Sequence, residues 1–222
     1  ARSAAQTTAT RTIVLAFHVD YWDALGWKDR FASAQASQRQ RDYAQKLGIS
    51  DLYTPQMIIN GSAQFVGSDA ARASSETAKA LATMPKAGVA VNAQWAAAAA
   101  GAARTLNVSA KASPAREEVP IAGALLDIML VESGLVSEVR SGENAGKALK
   151  HDRVVRTLQT VPLGPEGTAE ATIELPKFAI PGHCQVVAVL REPTHWSVLG
   201  AGEVALPALP ELPEPAPIPI PK

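Results

Sequence analysis

The sequence predicts a mixed α+β chain, with a β-α-β-β-α segment over residues 12–86 followed by an all-β, sandwich-like domain over residues 88–206. Two observations carry this reading. Helical spacing of apolar residues is confined to the first segment, whereas from Gly88 onward apolar and polar residues alternate with the period of a half-buried strand. The second observation is punctuation: Asn60-Gly61 is a hairpin turn signal, and Pro85 closes the helical part before the alternation begins.

Each element has its own local cause. Residues 1–11 open with ARSAAQTTAT, small and polar without periodicity, and are expected to form a mobile arm. Ile13, Val14, Leu15, Ala16 and Phe17 form a short continuous apolar run, the pattern of a strand buried on both faces of an α/β sheet. Residues 33–47 lack glycine and proline, place Ala36, Tyr43, Ala44 and Leu47 on one side, and stop at Gly48, as a helix does. Residues 56–60 and 62–66 read as strands around the Asn60-Gly61 turn, and Ser68 or Asp69 then caps a second helix that runs to about Met84.

Beyond Gly88 the residues Val89, Val91, Ala93 and Trp95 share one strand face, as do Leu106, Val108 and Ala110, giving a hairpin. Further strands are expected at 121–132, 153–161, 168–175, 184–191 and 196–205, which makes seven and suggests a sandwich. From 207 to 222 proline recurs at nearly every second or third residue, so this tail cannot join a sheet and is read as a linker or docking strip.

Bulk properties narrow the function classes. The 222-residue chain, 47% hydrophobic, balances 21 basic against 21 acidic residues, so no net charge draws it to nucleic acid or an anionic membrane. No apolar run approaches the roughly 20 residues of a membrane span. The single cysteine, Cys184, excludes an intrachain disulfide, a dithiol redox couple and a metal site of several thiolates within this chain. The first residue is Ala1 and no charged-then-apolar leader is visible, which is read as a processed or truncated start.

The order strand, helix, Tyr53-Thr54-Pro55, strand, Asn-Gly turn, strand, glycine, helix is that of the second half of a thioredoxin fold, in which the proline before the third core strand is cis. Longer strings sharpen this. AFHVDYWDALGWKDRFAS (16–33), YTPQMIING (53–61), FVGSD (65–69) and SGENAGKALKHDRVVR (141–156) strongly resemble a bacterial secreted thioredoxin-like family of unknown function, over about residues 12 to 205. The fold this implies is an incomplete thioredoxin-like α/β domain followed by an all-β sandwich-like domain. The family also implies a strand and a Cys-x-x-Cys turn ahead of the segment matching 13–17, where this chain has only its polar arm. That missing strand would lie between 13–17 and 56–60, so another polypeptide, or an upstream fragment of the same gene product, is expected to complete the sheet.

Two groups of residues are candidates for function. Tyr53, Thr54 and Pro55 form a cis-proline surface that the resemblance assigns to peptide contact. His18, Asp20, Trp22 and Asp23, with Tyr21, Trp27, Lys28 and Asp29, form a polar cluster after the first strand. There a histidine with carboxylates can act as a general base or hold a divalent cation, while the competing reading has the aspartates capping turns and the tryptophans packing the loop. His151, His183 and His195 are weaker candidates, Cys184 reads as a small core residue, and Lys147, Lys150, Arg153 and Arg156 as a solvated loop.

Three functions compete. The first is a non-redox binding or assembly protein, an accessory subunit of a larger envelope complex that holds a partner polypeptide at the cis-proline surface and open sheet. The second is a thiol-disulfide oxidoreductase whose Cys-x-x-Cys segment is missing from this chain, and the third is a metal-dependent enzyme using the His18 cluster. No cofactor is expected for the first, and a periplasmic or secreted location follows from the resemblance.

Overall fold

A computed structural model describes residues 12–97, 103–117, 119–142 and 144–210. The arm expected at 1–11, and the proline-rich tail from 211 on, lie outside the described residues. In chain order the elements are α1 (Ala34–Leu47), β1 (Gln56–Ile59), β2 (Ala63–Val66), α2 (Ala70–Leu81), β3 (Ala87–Trp95), β4 (Thr105–Pro114), β5 (Leu125–Glu132), β6 (Leu135–Glu138), β7 (Ala148–His151), β8 (Val154–Pro162), β9 (Thr168–Glu174), β10 (Cys184–Arg191) and β11 (Val198–Ala205).

The seven strands read from alternation are all present, and they build two antiparallel sheets, β11-β10-β5-β8 and β3-β4-β9. Leu106, Val108 and Ile173 face Leu126, Ile128, Leu130, Val186, Ala188 and Leu190 across the space between them. Alternation explains this, because residues two apart along a strand share a face. The sheets meet where β11 runs close to β3. A Cβ on Gly200 would lie 2.1 Å from the Ala87 carbonyl oxygen, and one on Gly202 2.1 Å from that of Val89, so only glycine fits at either place.

The outer face of the four-stranded sheet is apolar too. Met129, Val131, Val187 and Val189 point away from the sandwich core, and leaving them in water would forfeit their hydrophobic stabilisation. Ile13, Leu15 and Phe17 cover them. Residues 13–17 therefore run along the sheet: Ala16 forms a parallel bridge to Val154, its N–H donating to the Arg153 carbonyl at 2.8 Å and its carbonyl accepting from Val155 at 2.9 Å. Helix α1 joins this layer. Ser33 caps its first turn, the hydroxyl accepting from the Ala36 amide at 3.1 Å, and Gly48 ends it at φ 66°.

This arrangement overturns the expected incomplete thioredoxin-like domain. The described residues are mostly antiparallel β structure, with no thioredoxin-like α/β pattern among them. The physical reason lies in 13–17. Its run of apolar residues is buried on one face only, with the intervening Val14 59% exposed, and it seats on β5, β8 and β10 instead of entering a sheet with β1. The gap that a second polypeptide was expected to fill between 13–17 and 56–60 therefore has no counterpart in this topology. Among the described residues β1 pairs with β2 alone.

The outer layer is fastened by charge. Asp127, on β5 and fully buried, accepts from Arg39 of α1 at 2.8 Å, from Arg191 of β10 at 2.9 Å and from the Thr160 hydroxyl of β8 at 2.7 Å. Arg191 lies 4.0 Å over the Trp196 ring, and Arg39 is within 5.1–5.6 Å of Phe17, Tyr43 and Trp196. Burial raises the Asp127 pKa, but the Arg39 charge and the bonds from Arg191 and Thr160 outweigh it and hold the carboxyl below its ordinary value.

Two outcomes follow from this packing. Gly202→Ala is expected to lower stability by roughly 1–3 kcal/mol through a forced shift of β11 from β3, read from the urea midpoint. Asp127→Asn leaves two buried guanidiniums without their carboxylate and is expected to cost about 3–5 kcal/mol. The Asp127 contribution is full above the unfolded carboxylate pKa of about 3.9 and is lost as pH falls through the lower folded value. The acid limb of the stability curve should therefore flatten in the asparagine variant, and an unchanged limb would assign the acid sensitivity elsewhere.

Candidate functional site

β1 carries an open edge. The Thr54–Pro55 peptide is cis, and the Pro55 carbonyl accepts from the Gly67 amide at 2.8 Å, which sets the alternation of the hairpin ladder. Pairing of Met57 with Phe65 and Ile59 with Ala63 then uses the inward groups of β1. The backbone N–H and C=O of Gln56 and Ile58 point the other way, toward an edge where no strand among the described residues pairs. Exposed Thr54 precedes this edge in a bend, and no backbone group bonds to its amide or carbonyl among the described residues. The edge ends at Asn60, whose carbonyl accepts from the Val198 amide at 3.0 Å.

Side chains hold this edge in place. Gln40 of α1 donates to the Tyr53 carbonyl at 2.8 Å and to the Gln56 side chain at 3.1 Å, and it accepts from the Tyr21 hydroxyl at 2.9 Å. Tyr53 donates its hydroxyl to Gln64. The Trp22 indole N–H donates to the Thr54 hydroxyl at 3.0 Å, which holds a half-exposed apolar ring at Thr54.

Of the polar cluster read from the sequence, His18 and Asp29 come together, while Asp20, Trp22 and Asp23 make separate bonds. Asp20 accepts from the Ser37 hydroxyl at 2.5 Å, Asp23 accepts from the Asp29 amide at 3.1 Å, and Trp22 is bound to Thr54. Among the described residues no three His, Cys, Asp or Glu side chains meet at a possible cation position. His18 instead pairs through Nδ1 with Asp29 at 2.5 Å, and its ring stands edge-on to His151 at 5.1 Å and to Phe31 at 5.9 Å between centroids. His151, from β7, also meets Phe31 at 5.4 Å and bonds through Nε2 to the Ser137 hydroxyl at 3.1 Å.

Electrostatics follow from these contacts. Burial raises the Asp29 pKa, but the His18 bond, the Phe31 amide and the charges of both histidines bring it below the ordinary carboxylate value. Burial lowers the His151 pKa, with the charges of His18 and Arg30 acting the same way against the pull of Asp29 and Asp152. Ser137 is 4% exposed, which denies a substrate access to its hydroxyl. The partnership of His18 with His151 has no local signature, because it depends on the β6–β7 hairpin (Leu135 paired with His151) folding against residues 18–31.

Other predicted positions are structural. His183 sits exposed at the end of a short 3-10 helix and His195 exposed in a turn. Arg153 binds Glu203 at 2.6 Å and the Val14 carbonyl at 3.0 Å, and Arg156 pairs with buried Glu132, so neither belongs to a solvated loop. Cys184 lies in the core, its thiol donating to the Ile180 carbonyl at 3.3 Å; burial, reinforced by the Glu132 charge, pushes its pKa up to about 12.

The fold and site thus define an antiparallel β-sandwich covered on one side by an N-terminal layer that presents an open hairpin edge. The chain belongs to the family described as protein of unknown function DUF1223, whose model matches residues 1–191. No curated protein matches it. A crystal structure of an Agrobacterium tumefaciens protein is similar at TM-score 0.53 and 22% identity, with 90% of this chain and 82% of that one covered. HBP35 of Porphyromonas gingivalis is similar at TM-score 0.54 and 16% identity, covering 82% of this chain and 63% of that one. These likenesses concern the fold. No helix among the described residues is long and apolar enough to cross a membrane.

The environment of Cys184 predicts inertness. Native protein at about pH 8 should resist iodoacetamide over a period in which the urea-unfolded chain is fully alkylated, as intact mass would show. Equal rates in the two states would mean that the thiol is open to solvent.

Proposed function

We propose that the protein is a non-redox polypeptide-binding protein, an accessory or assembly subunit that takes an extended segment of a partner onto the free edge of β1. The observation that supports this most is the outward backbone of Gln56 and Ile58, two residues of one parity with no strand beside them among the described residues, next to the unbonded backbone of Thr54. A peptide strand added there gains main-chain hydrogen bonds, with affinity set by the ladder and selectivity by alternate side chains. Trp22, 50% exposed and bonded to Thr54, offers an apolar surface for one of those side chains. A bacterial envelope or extracellular location belongs to the same proposal.

The two alternatives draw less from the structure. An oxidoreductase gains nothing from Cys184, whose buried thiol gives no thiolate at neutral pH. A metal-dependent enzyme gains nothing from His18, Asp20 and Asp23, which serve separate partners.

Proline at position 58 removes one outward N–H and spares the bonds to β2, so Ile58→Pro isolates the edge. Peptides selected on the wild-type chain from a random library of extended decamers should bind the variant about tenfold more weakly, which is about 1.4 kcal/mol. The thermal midpoint should change little. Undiminished binding by a folded variant, or a library that yields no binder, would sink the reading.

A further inference from the structure

Residues 18–33 form a bridge between two parts of the molecule. On one side they reach the edge, through the bond from Trp22 to Thr54 and the bond between Asp20 and Ser37 of α1. On the other they lean on the β6–β7 hairpin, where Arg30 donates to the Val136 carbonyl at 3.0 Å and the Ser141 hydroxyl donates to the Gly26 carbonyl. The rings of His18, Phe31 and His151, mutually edge-on at 5.1–5.9 Å, fill the centre of this contact.

We propose that this three-ring contact is a proton-operated latch, which holds the 18–33 segment on the β6–β7 hairpin while His151 is neutral and frees the segment, with the Trp22 indole, when His151 is protonated. The groups facing His151 decide the sign. His18 and Arg30 from the loop oppose a positive charge on it, Asp29 from the loop and Asp152 beside it favour one, and Ser137 of β6 bonds its Nε2. Arg156 of β8 stacks on the far member of the trio, 5.1 Å from the Phe31 ring. With burial added, the neutral ring is preferred in the closed contact, so the open segment binds the proton more tightly. Closure is therefore complete above the free imidazole value of about 6.5 and weakens as pH falls below it.

The latch stands on its own geometry, and only its effect on binding rests on the proposed edge. The test follows the Trp22 indole N–H resonance of the whole chain, assigned through Trp22→Phe, from about pH 7.5 to about pH 5, together with the histidine ring protons. Wild-type protein is expected to show the Trp22 resonance moving toward its solvent-exposed position with a midpoint below about 6.5 that coincides with the His151 titration. In His151→Gln, which keeps a side chain able to bond Ser137, the movement should vanish. A Trp22 resonance that ignores pH, or that moves at a midpoint different from His151, overturns the proposal even if the glutamine variant fails to fold. Binding of the selected decamers at both pH values separates the two ideas: a latch that opens in a protein that binds no peptide at either pH removes the edge reading alone.

Discussion

One buried carboxylate governs how the N-terminal third of the chain meets the rest. Asp127 stands in the middle of an apolar strand, and two arginines from different elements share it, one from the helix above the sheet and one from the neighbouring strand. A charge buried alone is untenable, so the position of α1 is fixed by the demand of Asp127 for partners as much as by apolar packing. Trp196 reinforces this by lying against Arg191, Arg39 and Tyr43 at once. Removing water from around these groups is costly, and the gain is orientation: the helix can settle only where Arg39 reaches the carboxylate.

From that fixed helix the candidate sites inherit their geometry. Gln40, the residue after Arg39, holds the backbone at Tyr53, so the cis-proline turn and the β1 edge are referenced to the same anchor. Ser37, two residues before Arg39, holds Asp20, and Ser33 starts the helix directly after the loop that carries His18 and Trp22. The polar loop and the open edge are thus two ends of one rigid support.

What the sequence made legible follows from periodicity. β3, β4, β5, β8, β9, β10 and β11 alternate or carry long apolar runs between glycine and proline, and they were readable where they lie. β6 and β7 were not, because Leu135–Glu138 and Ala148–His151 are four residues each and flank a glycine-rich turn. The run at 13–17 was misread because five consecutive apolar residues look the same whether a strand enters a sheet or lies across one. The Asp127 anchor did leave a signal: a lone aspartate inside LLDIMLVE must have a buried partner. His18 and His151, by contrast, are brought together by tertiary structure alone, which no spacing within 18–29 could indicate. The grouping of His18 with Asp20 and Asp23 mistook proximity along the chain for convergence in space.

The seating of residues 13–17 on strands made much later has a consequence for biosynthesis. Val14 and the arginine that binds its carbonyl are 139 positions apart, so a ribosome adding about 5–20 residues per second needs roughly seven to twenty-eight seconds to deliver the second after the first. Ile13, Leu15 and Phe17 lack a complete surface to dock on until β10, later still in the chain, has been made. Residues 13–17 can therefore take their final place only after β5, β8 and β10 have left the ribosome.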